Sequence, residues 1–245
     1  MANFAFWSSL AFVLPQALWV RSRTPRFRGP SGPLCGNCGH VPSLRVVGIG
    51  DSIIAGVGAA TPDATLTATL SQALYQRLGI GVAWSAYGKI AADTRKITGE
   101  VATRAPPDGA ELILISAGVN DITGLRTRAA WLESMEALVA TLAASCPRAQ
   151  ILIVGLPPLE LFPALPTPLS TVLGWRARYF EAAIAKQARE WPNVEYVPID
   201  IRPSAGDFAS DGFHPSEQSY ATLGSLLAQR VLDSPLLSRC VHNET

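Results

Sequence analysis

Three side chains that can act together in nucleophilic catalysis lie far apart in this sequence. Ser52 follows a short apolar run, while Asp211 and His214 stand three positions apart near the carboxyl end. A serine hydroxyl becomes a useful nucleophile when a histidine removes its proton, and that histidine needs a carboxylate that fixes its tautomer. The other histidines, His40 and His242, lie near the ends of the chain. These residue types predict acyl transfer, although Ser52 and Asp211 are also typical helix-capping residues.

Acyl transfer also requires hydrogen-bond donors for the oxygen that becomes negative in the tetrahedral intermediate. The sequence offers the backbone N–H groups of Ser52 and Gly88 and the side-chain amide of Asn120. Glycine lets the backbone approach a ligand closely, and asparagine can direct its amide from a loop. Asn120 and Asp121 equally fit a turn or a cap before the helix predicted to begin near Thr127.

An alternation of strands and helices would bring these distant residues together. From Leu44 onward, short apolar runs alternate with longer helical patterns. The runs predict strands over residues 44–50, 81–88, 111–118, 150–157 and 194–200, and the patterns predict helices over about 61–78, 91–104, 127–145, 171–191 and 216–232. This order is typical of a doubly wound sheet of five parallel strands. Because ligands of such sheets bind at the carboxyl ends of the strands, we expect Ser52, Gly88, Asn120 and His214 to meet there.

The sequence lacks two phosphate-binding motifs, and its charge does not favour a nucleic-acid partner. Within residues 48–53, Ile53 stands where the dinucleotide fingerprint has its third glycine or alanine. The sequence after Gly56 lacks the Gly-Lys-Ser/Thr of a P-loop. The chain has 20 Lys and Arg residues against 19 Asp and Glu residues, a formal net charge of +1, which does not favour nucleic acid. We therefore expect a small-molecule substrate and no cofactor.

Four sequence blocks together resemble one enzyme family. "GDSIIAG" around Ser52, Gly88, "GVND" around Asn120 and "DGFHP" at residues 211–215 occur in this order at matching strand ends. From about Leu44 to Leu236 the chain resembles the SGNH hydrolases, also called GDSL-type esterases and lipases. The resemblance implies an α/β fold with a flavodoxin-like, three-layer α/β/α arrangement.

The resemblance also implies a role for each matched residue. Ser52 corresponds to the nucleophile, His214 to the general base and then acid, and Asp211 to its orienting partner. The Ser52 and Gly88 N–H groups and Asn120 correspond to the oxyanion hole, with no metal. Around Gly88 the sequence "AYGKIAADT" departs from the family pattern, which often has a second glycine and a Ser or Thr.

The segment after the fourth strand indicates a substrate pocket. Residues 155–175 are rich in proline and large apolar side chains, and Leu159, Phe162 and Leu165 are candidates for a wall that contacts the substrate. The same segment also fits a loop folded onto the core. Without a basic cluster at the strand ends, a small uncharged carboxylic ester is the expected substrate.

Other functions fit parts of the pattern. The same residues serve an acyltransferase or deacetylase that acts on a sugar or lipid acceptor, because they do not select the acceptor. Asp51, Asp121 and Asp211 would suit magnesium-dependent phosphoester hydrolysis. A membrane-tethered binding protein without turnover is a third alternative.

The first 43 residues differ in composition from the rest. Residues 4–20 carry no charge, and four arginines follow at positions 21, 23, 26 and 28. The segment fits a membrane anchor, an amphipathic arm packed on the domain or on a partner, or a cleaved signal. Residues 4–28 could contact a membrane or lipid, which leaves a cytoplasmic or membrane-associated location, with the catalytic domain on the cytoplasmic side.

The predicted organisation has three parts. Residues 1–43 form the apolar segment and a linker rich in Pro, Gly and Arg; residues 44–236 form the catalytic domain; and residues 237–245 form a tail. Within the linker, Cys35, Cys38 and His40 have ligand-like spacing, which Cys240 and His242 could complete. A zinc site, a disulfide and free thiols are the alternatives, with free thiols the simplest.

Overall fold

The sheet that organises this chain has six strands. The structure is a computed structural model that describes residues 2–23, 27–103 and 109–242. The strands are β1 (Cys35–Cys38), β2 (Pro42–Gly50), β3 (Gly81–Gly88), β4 (Leu112–Ser116), β5 (Gln150–Val154) and β6 (Val194–Val197). Their order across the sheet is β1-β3-β2-β4-β5-β6, and neighbours from β3 to β6 are parallel. The predicted doubly wound parallel sheet is confirmed.

The predicted number of strands needs one correction. β1 lies within the segment interpreted as a linker and pairs antiparallel with β3, so the sheet is mixed and has six strands. Its sequence, Cys-Gly-Asn-Cys, has no apolar alternation that would predict a strand. An edge strand can form through backbone hydrogen bonds to one neighbour, which leave little trace in the side-chain pattern.

Helices cover both faces of the sheet. They are α1 (Ala2–Arg23), α2 (Leu66–Leu78), α3 (Thr94–Lys96), α4 (Val119–Thr123), α5 (Arg128–Ser145), α6 (Leu169–Gln187), α7 (Glu217–Asp233) and α8 (Arg239–His242). Side-chain caps fix the starts of α3, α5 and α7: Asp93 accepts a hydrogen bond from the Lys96 N–H, Thr127 from the Ala130 N–H, and Ser216 from the Ser219 N–H. The helix predicted over residues 91–104 is instead α3 continued by a π-helical turn, Ile97–Ala102.

Two apolar layers hold the helices to the sheet. Val47 and Ile113 face the layer that contains α5 and α6, while Val46 and Leu112 face the layer that contains α2 and α7. Side chains of successive strand residues point to opposite faces, so a strand covered on both faces must be apolar throughout. β4 and β5 are buried at every position, which explains why the sequence predicted them as continuous apolar runs.

The N-terminal helix α1 packs against α6. Val13 is 2% exposed, and the Gln16 side chain donates to the Thr167 carbonyl and accepts from the Leu169 N–H, both at 3.1 Å. Phe12 and Trp19 remain 82% and 55% exposed. Within the described residues, we find no helix with the length and apolar character needed to cross a membrane. Of the alternatives for this segment, the structure has the arrangement of a packed arm.

The cysteines of the predicted linker and tail are free thiols in or beside the sheet and the core. Cys35 and Cys38 begin and end β1, Cys240 lies in the core, and all three are thiols. No group of three His, Cys, Asp or Glu side chains arranged to hold a metal ion occurs in the part of the chain that the structure describes. The His242 side chain is outside that part.

Candidate active site

Ser52 lies in a tight series of turns directly after β2. The Asp51 N–H donates to the Ser116 carbonyl at the end of β4, and the Val57 N–H donates to the Ser52 carbonyl. A Cβ atom on Gly50 would lie 2.3 Å from the Ser116 carbonyl oxygen, so only glycine permits this close approach. The next regular α-helix begins at Leu66. Ser52 therefore follows a strand, as predicted, but does not cap a regular helix.

Three side chains form a continuous hydrogen-bonded row. His214 Nε2 lies 2.9 Å from Ser52 Oγ, and His214 Nδ1 lies 2.6 Å from Asp211 Oδ2. The other carboxylate oxygen, Asp211 Oδ1, accepts from the N–H groups of Phe213 and His214 at 2.9 Å each. An ionised Asp211 accepts the Nδ1 proton, which leaves Nε2 as the acceptor for the serine hydroxyl.

The hydrogen bonds to Asp211 favour its ionised form. Burial of this carboxyl raises its pKa, but the bonds from the His214 side chain and from two backbone N–H groups outweigh the burial, so the pKa of Asp211 lies below its usual value. The side chain of Asp211 is fully buried, and that of His214 is 14% exposed. A negative charge is thus held beside the imidazole and away from water.

The loop that carries Asp211 and His214 is anchored to the segment that carries Ser52. The Ala209 N–H donates to the His214 carbonyl at 2.8 Å and closes the loop on itself. On α7, the fully buried Tyr220 donates its hydroxyl to the Val57 carbonyl at 2.7 Å. Tyr220 was not singled out by the sequence, because its spacing fits an ordinary core position of a helix.

Asn120 is held at the start of α4 and faces the same cavity. Its Nδ2 donates to the Ala92 carbonyl at 3.0 Å. An amide nitrogen carries two protons, so this bond orients the side chain and leaves a second N–H for another acceptor. Asn120 and Ser52 both line the cavity beside His214. The structure therefore places Asn120 and Ser52 in the wall of one cavity, and the role of Asn120 as an oxyanion donor stays a prediction.

Gly88 occupies a different setting from the one expected of an oxyanion donor. A Cβ atom at this position would lie 2.1 Å from the Ala55 nitrogen, so Gly88 allows β3 to contact the turn after Ser52. Gly88 is not among the residues that line the cavity. The next residue, Lys89, donates its N–H to the Gly50 carbonyl. The geometry gives Gly88 a packing role, and its N–H as a donor stays a prediction.

The cavity beside Ser52 is small and mostly apolar. Its volume is about 140 Å³. Apart from Ser52, Asn120 and His214, the described residues of its wall include the apolar side chains Leu156, Phe162, Ile199, Ile201, Phe208, Phe213 and Leu223. No lysine or arginine belongs to this wall within the described ranges. Such a wall suits an uncharged apolar group.

Of the three residues expected to contact the substrate, one lines the cavity. Phe162 packs edge-on against Phe208 and Phe213, with ring centroids 5.1 Å apart in each pair. Leu159 is fully buried and Leu165 is 8% exposed, and both belong to the core beneath α6. The loop turns inward at these two leucines, so they support the wall without reaching the cavity.

The remaining wall comes from residues that the sequence interpretation left out. Ile199 and Ile201 follow β6, and Phe208 and Phe213 flank the loop that leads to His214. The signal was present, because residues directly after the carboxyl end of a parallel strand are expected near the site. It was missed because each apolar residue alone resembles an ordinary core residue.

Asp51, next to Ser52, is buried without a basic partner in the described structure. Its Oδ1 accepts the Ile53 N–H at 3.0 Å and lies 3.5 Å from Ser116 Oγ. Burial raises the pKa of Asp51 to about 7, and the Asp121 charge adds to the effect, against the lowering by hydrogen bonds. Asp51, Asp121 and Asp211 each bond to protein groups, and they form no metal-binding group among the described residues.

A family model matches most of the chain. The GDSL-like lipase/acylhydrolase family matches residues 49–222, a range that contains Ser52, Asn120, Asp211 and His214. No curated protein sequence gives a significant match.

Solved structures share the fold at low sequence identity. The lipase Lip_vut3 from a goat rumen metagenome has a TM-score of 0.61 at 16% identity, covering 78% of this chain and 98% of that one. The native aryl esterase of M. smegmatis has a TM-score of 0.54 at 22% identity, with 77% and 98% covered. Est24, a carbohydrate acetylesterase from Sinorhizobium meliloti, has a TM-score of 0.54 at 20% identity, with the same coverage. These likenesses establish the fold and leave the substrate open.

Proposed function

Because the protein belongs to the GDSL-like lipase/acylhydrolase family of carboxylic ester hydrolases, we propose that it cleaves esters through a covalent acyl-Ser52 intermediate. One observation carries the proposal: Ser52 Oγ lies 2.9 Å from His214 Nε2, whose other ring nitrogen lies 2.6 Å from Asp211. The base is thus within reach of the proton that it must remove.

The first half of the reaction forms the intermediate. Ser52 Oγ attacks the ester carbonyl carbon while its proton moves to His214 Nε2. Asp211 stabilises the imidazolium that forms, and the low pKa of this carboxyl keeps the carboxylate charged. The carbon–oxygen bond to the alcohol then breaks, and His214 returns the proton to the departing alcohol oxygen.

The second half releases the acid. A water molecule gives a proton to His214 Nε2 and attacks the acyl carbon, after which the bond to Ser52 Oγ breaks and the proton returns to the serine. In both halves the carbonyl oxygen becomes negative. We assign two donors to this oxygen: the second N–H of the Asn120 side-chain amide and the backbone N–H of Ser52. The backbone N–H of Gly88 is a third candidate.

The cavity wall supports an uncharged substrate with a small apolar group. Its aromatic and aliphatic side chains offer no positive partner for a phosphate or carboxylate within the described residues. A cavity of about 150 Å³ lined by similar side chains holds benzene in another protein. The volume of about 140 Å³ is therefore suited to an acyl or aryl group of about six carbon atoms.

Labelling of the serine tests the proposed chemistry. A fluorophosphonate probe should form an adduct on Ser52, which peptide mass spectrometry would locate, and Ser52→Ala should lose both labelling and hydrolysis of 4-nitrophenyl esters. Ser145→Ala, which changes an exposed serine at the end of α5, is the control. Full activity of Ser52→Ala would exclude the acyl-serine mechanism.

The acyl acceptor and the acyl length require a separate measurement. A series of 4-nitrophenyl esters from two to twelve carbons should give the highest kcat/KM at about four to six carbons. Adding methanol or a sugar would divert the acyl group if the protein is a transferase, and an acetylated sugar would test deacetylase activity. A highest rate with the acetylated sugar would favour a deacetylase. Ser52, Asp211 and His214 do not distinguish a deacetylase from an esterase, because they do not select the substrate.

Contact of residues 4–28 with a membrane or lipid stays a prediction, and so does the cellular location. The exposed Phe12 and Trp19 of α1 lie on the same helix as the exposed Arg21 and Arg23. Apolar side chains beside basic ones suit an anionic lipid surface. Co-sedimentation with anionic and neutral vesicles would test this contact. If the protein sediments with neither kind of vesicle, the contact is excluded.

A further inference from the structure

We propose that the buried carboxylate of Asp121 positions Asn120 for catalysis, acting through Thr94 and Arg126. The inference rests on the proposed function, because it concerns the donor assigned to the oxyanion. Asp121 touches neither the cavity nor Ser52 in the described contacts. It is therefore a positioning residue, and the route proposed for its effect on the reaction runs through its neighbour Asn120.

One oxygen of the carboxylate connects two segments of the chain. Asp121 Oδ2 accepts the Thr94 N–H at 3.0 Å and the Thr94 hydroxyl at 2.8 Å. Both residues are fully buried. A charged acceptor strengthens each bond, and burial excludes water that would replace either one. The start of α3 is thereby attached to α4, 27 residues away in sequence.

The other oxygen faces a guanidinium group. Arg126 Nε lies 3.3 Å from Asp121 Oδ1, and Arg126 Nη1 lies 3.9 Å from Asp93 Oδ2. The Arg126 N–H also donates to the Asp121 carbonyl at 3.0 Å. Arg126 compensates the buried charge as an ion pair, while the hydrogen bonds that hold the carboxylate come from Thr94.

The same two segments hold the amide of Asn120. Ala92 lies two residues before Thr94, and its carbonyl accepts the Asn120 Nδ2 proton at 3.0 Å. The bonds from Asp121 to Thr94 and from Asn120 to Ala92 therefore run in parallel between the same pieces of chain. If the first connection loosens, the Ala92 carbonyl moves relative to α4, and the amide loses its fixed direction.

A small displacement of this amide has a large chemical consequence. An oxyanion donor acts through its distance from the developing charge, and a misplacement of about 1 Å can cost about 100-fold in rate. Removing only the Thr94 hydroxyl leaves the Thr94 N–H bond in place. We therefore expect Thr94→Val to lower kcat about tenfold with little change in KM, and Thr94→Ser to restore most of the loss.

A double-mutant cycle with Asn120→Ala tests the route of the effect. If Thr94 and Asp121 act through Asn120, Thr94→Val should lower kcat about tenfold in the normal background and less than about twofold when Asn120 is alanine. Asp121→Asn should show the same dependence. Equal losses in both backgrounds, or a change confined to KM, would overturn the inference.

A matched control separates this effect from lost stability. Thr67 is another fully buried threonine, on α2 beneath the opposite face of the sheet, and its hydroxyl bonds to no described group. Thr67→Val should leave kcat unchanged, and thermal unfolding of each variant would verify that it is folded. The rate of fluorophosphonate labelling of Ser52 gives a second readout if turnover in the Asn120→Ala background is too slow to measure. Activity retained by Ser52→Ala would instead refute the proposed function itself.

Discussion

The two sides of the cavity are built in different ways. On one side, Ser52, His214 and Asp211 contact one another directly, at 2.9 and 2.6 Å. On the other side, Asn120 has no described contact with those three and is oriented by the Ala92 carbonyl, beside the buried Asp121. The first side is a row of groups that exchange a proton, whereas the second is an amide that must only stay in place.

The two sides should differ in how strongly the loss of one group affects catalysis. Within the row, each group supplies the proton acceptor or the charge that the next one needs, so removing one group disables the others. On the amide side, several bonds share the task of orientation, so losing one should produce a partial effect. Catalytic loss should therefore be steep on the first side and graded on the second.

The largest effect is expected when Asp211 is changed. Asp211→Asn keeps the shape of the side chain but can stabilise the wrong tautomer of His214, and kcat should fall about 10⁴-fold. Steady-state kinetics with a 4-nitrophenyl ester would measure the loss, and Asp200→Asn, at an exposed aspartate, serves as the control. A loss below about tenfold would mean that the row does not work as a unit.

A smaller loss is expected on the amide side. Asn120→Ala removes one donor to the oxyanion and should lower kcat about 10²- to 10³-fold, while KM changes little. The control is Asn37→Ala, at an exposed position of β1. If Asn120→Ala were as damaging as Asp211→Asn, the contrast between the two sides would be lost.

The smallest effect concerns stability, at a residue that borders both sides. The pKa of Asp51 is raised to about 7 in the folded protein, above the usual value of about 3.9. The folded state then binds the proton more tightly, so stability should fall as pH rises from about 4 to 7.

Replacing this carboxyl tests the linkage. Asp51→Asn should flatten that part of the stability profile, by an amount on the order of a few kcal/mol. Urea unfolding at a series of pH values would show it, with Asp200→Asn as the control. An unchanged slope would show that the Asp51 carboxyl is not the group that titrates.

Much of the fold could be predicted because its signal is local. The runs that became β4 and β5 are apolar at every position, since both faces of these strands are covered. β1 could not be predicted in the same way, because its strand character depends on hydrogen bonds from β3. Likewise, α1 packs on α6 through Gln16, which bonds to Thr167 and Leu169. These partners are 151 and 153 positions away in the sequence, so no local pattern encodes the contact.

The candidate site likewise has a part that the sequence determined and a part that only the tertiary structure decided. The sequence by itself determined which groups are chemically suited to the reaction, because Ser52, His214, Asp211 and Asn120 have reactivities fixed by their side chains. Only the tertiary structure decided which apolar residues face the cavity, since Phe162 and Leu159 are both apolar, yet Phe162 lines the cavity and Leu159 is buried in the core. It also decided that Asp121 bonds to Thr94, because such a bond requires two distant segments to be buried against each other. Chemical type is a property of one residue, whereas proximity and burial are properties of the packed chain.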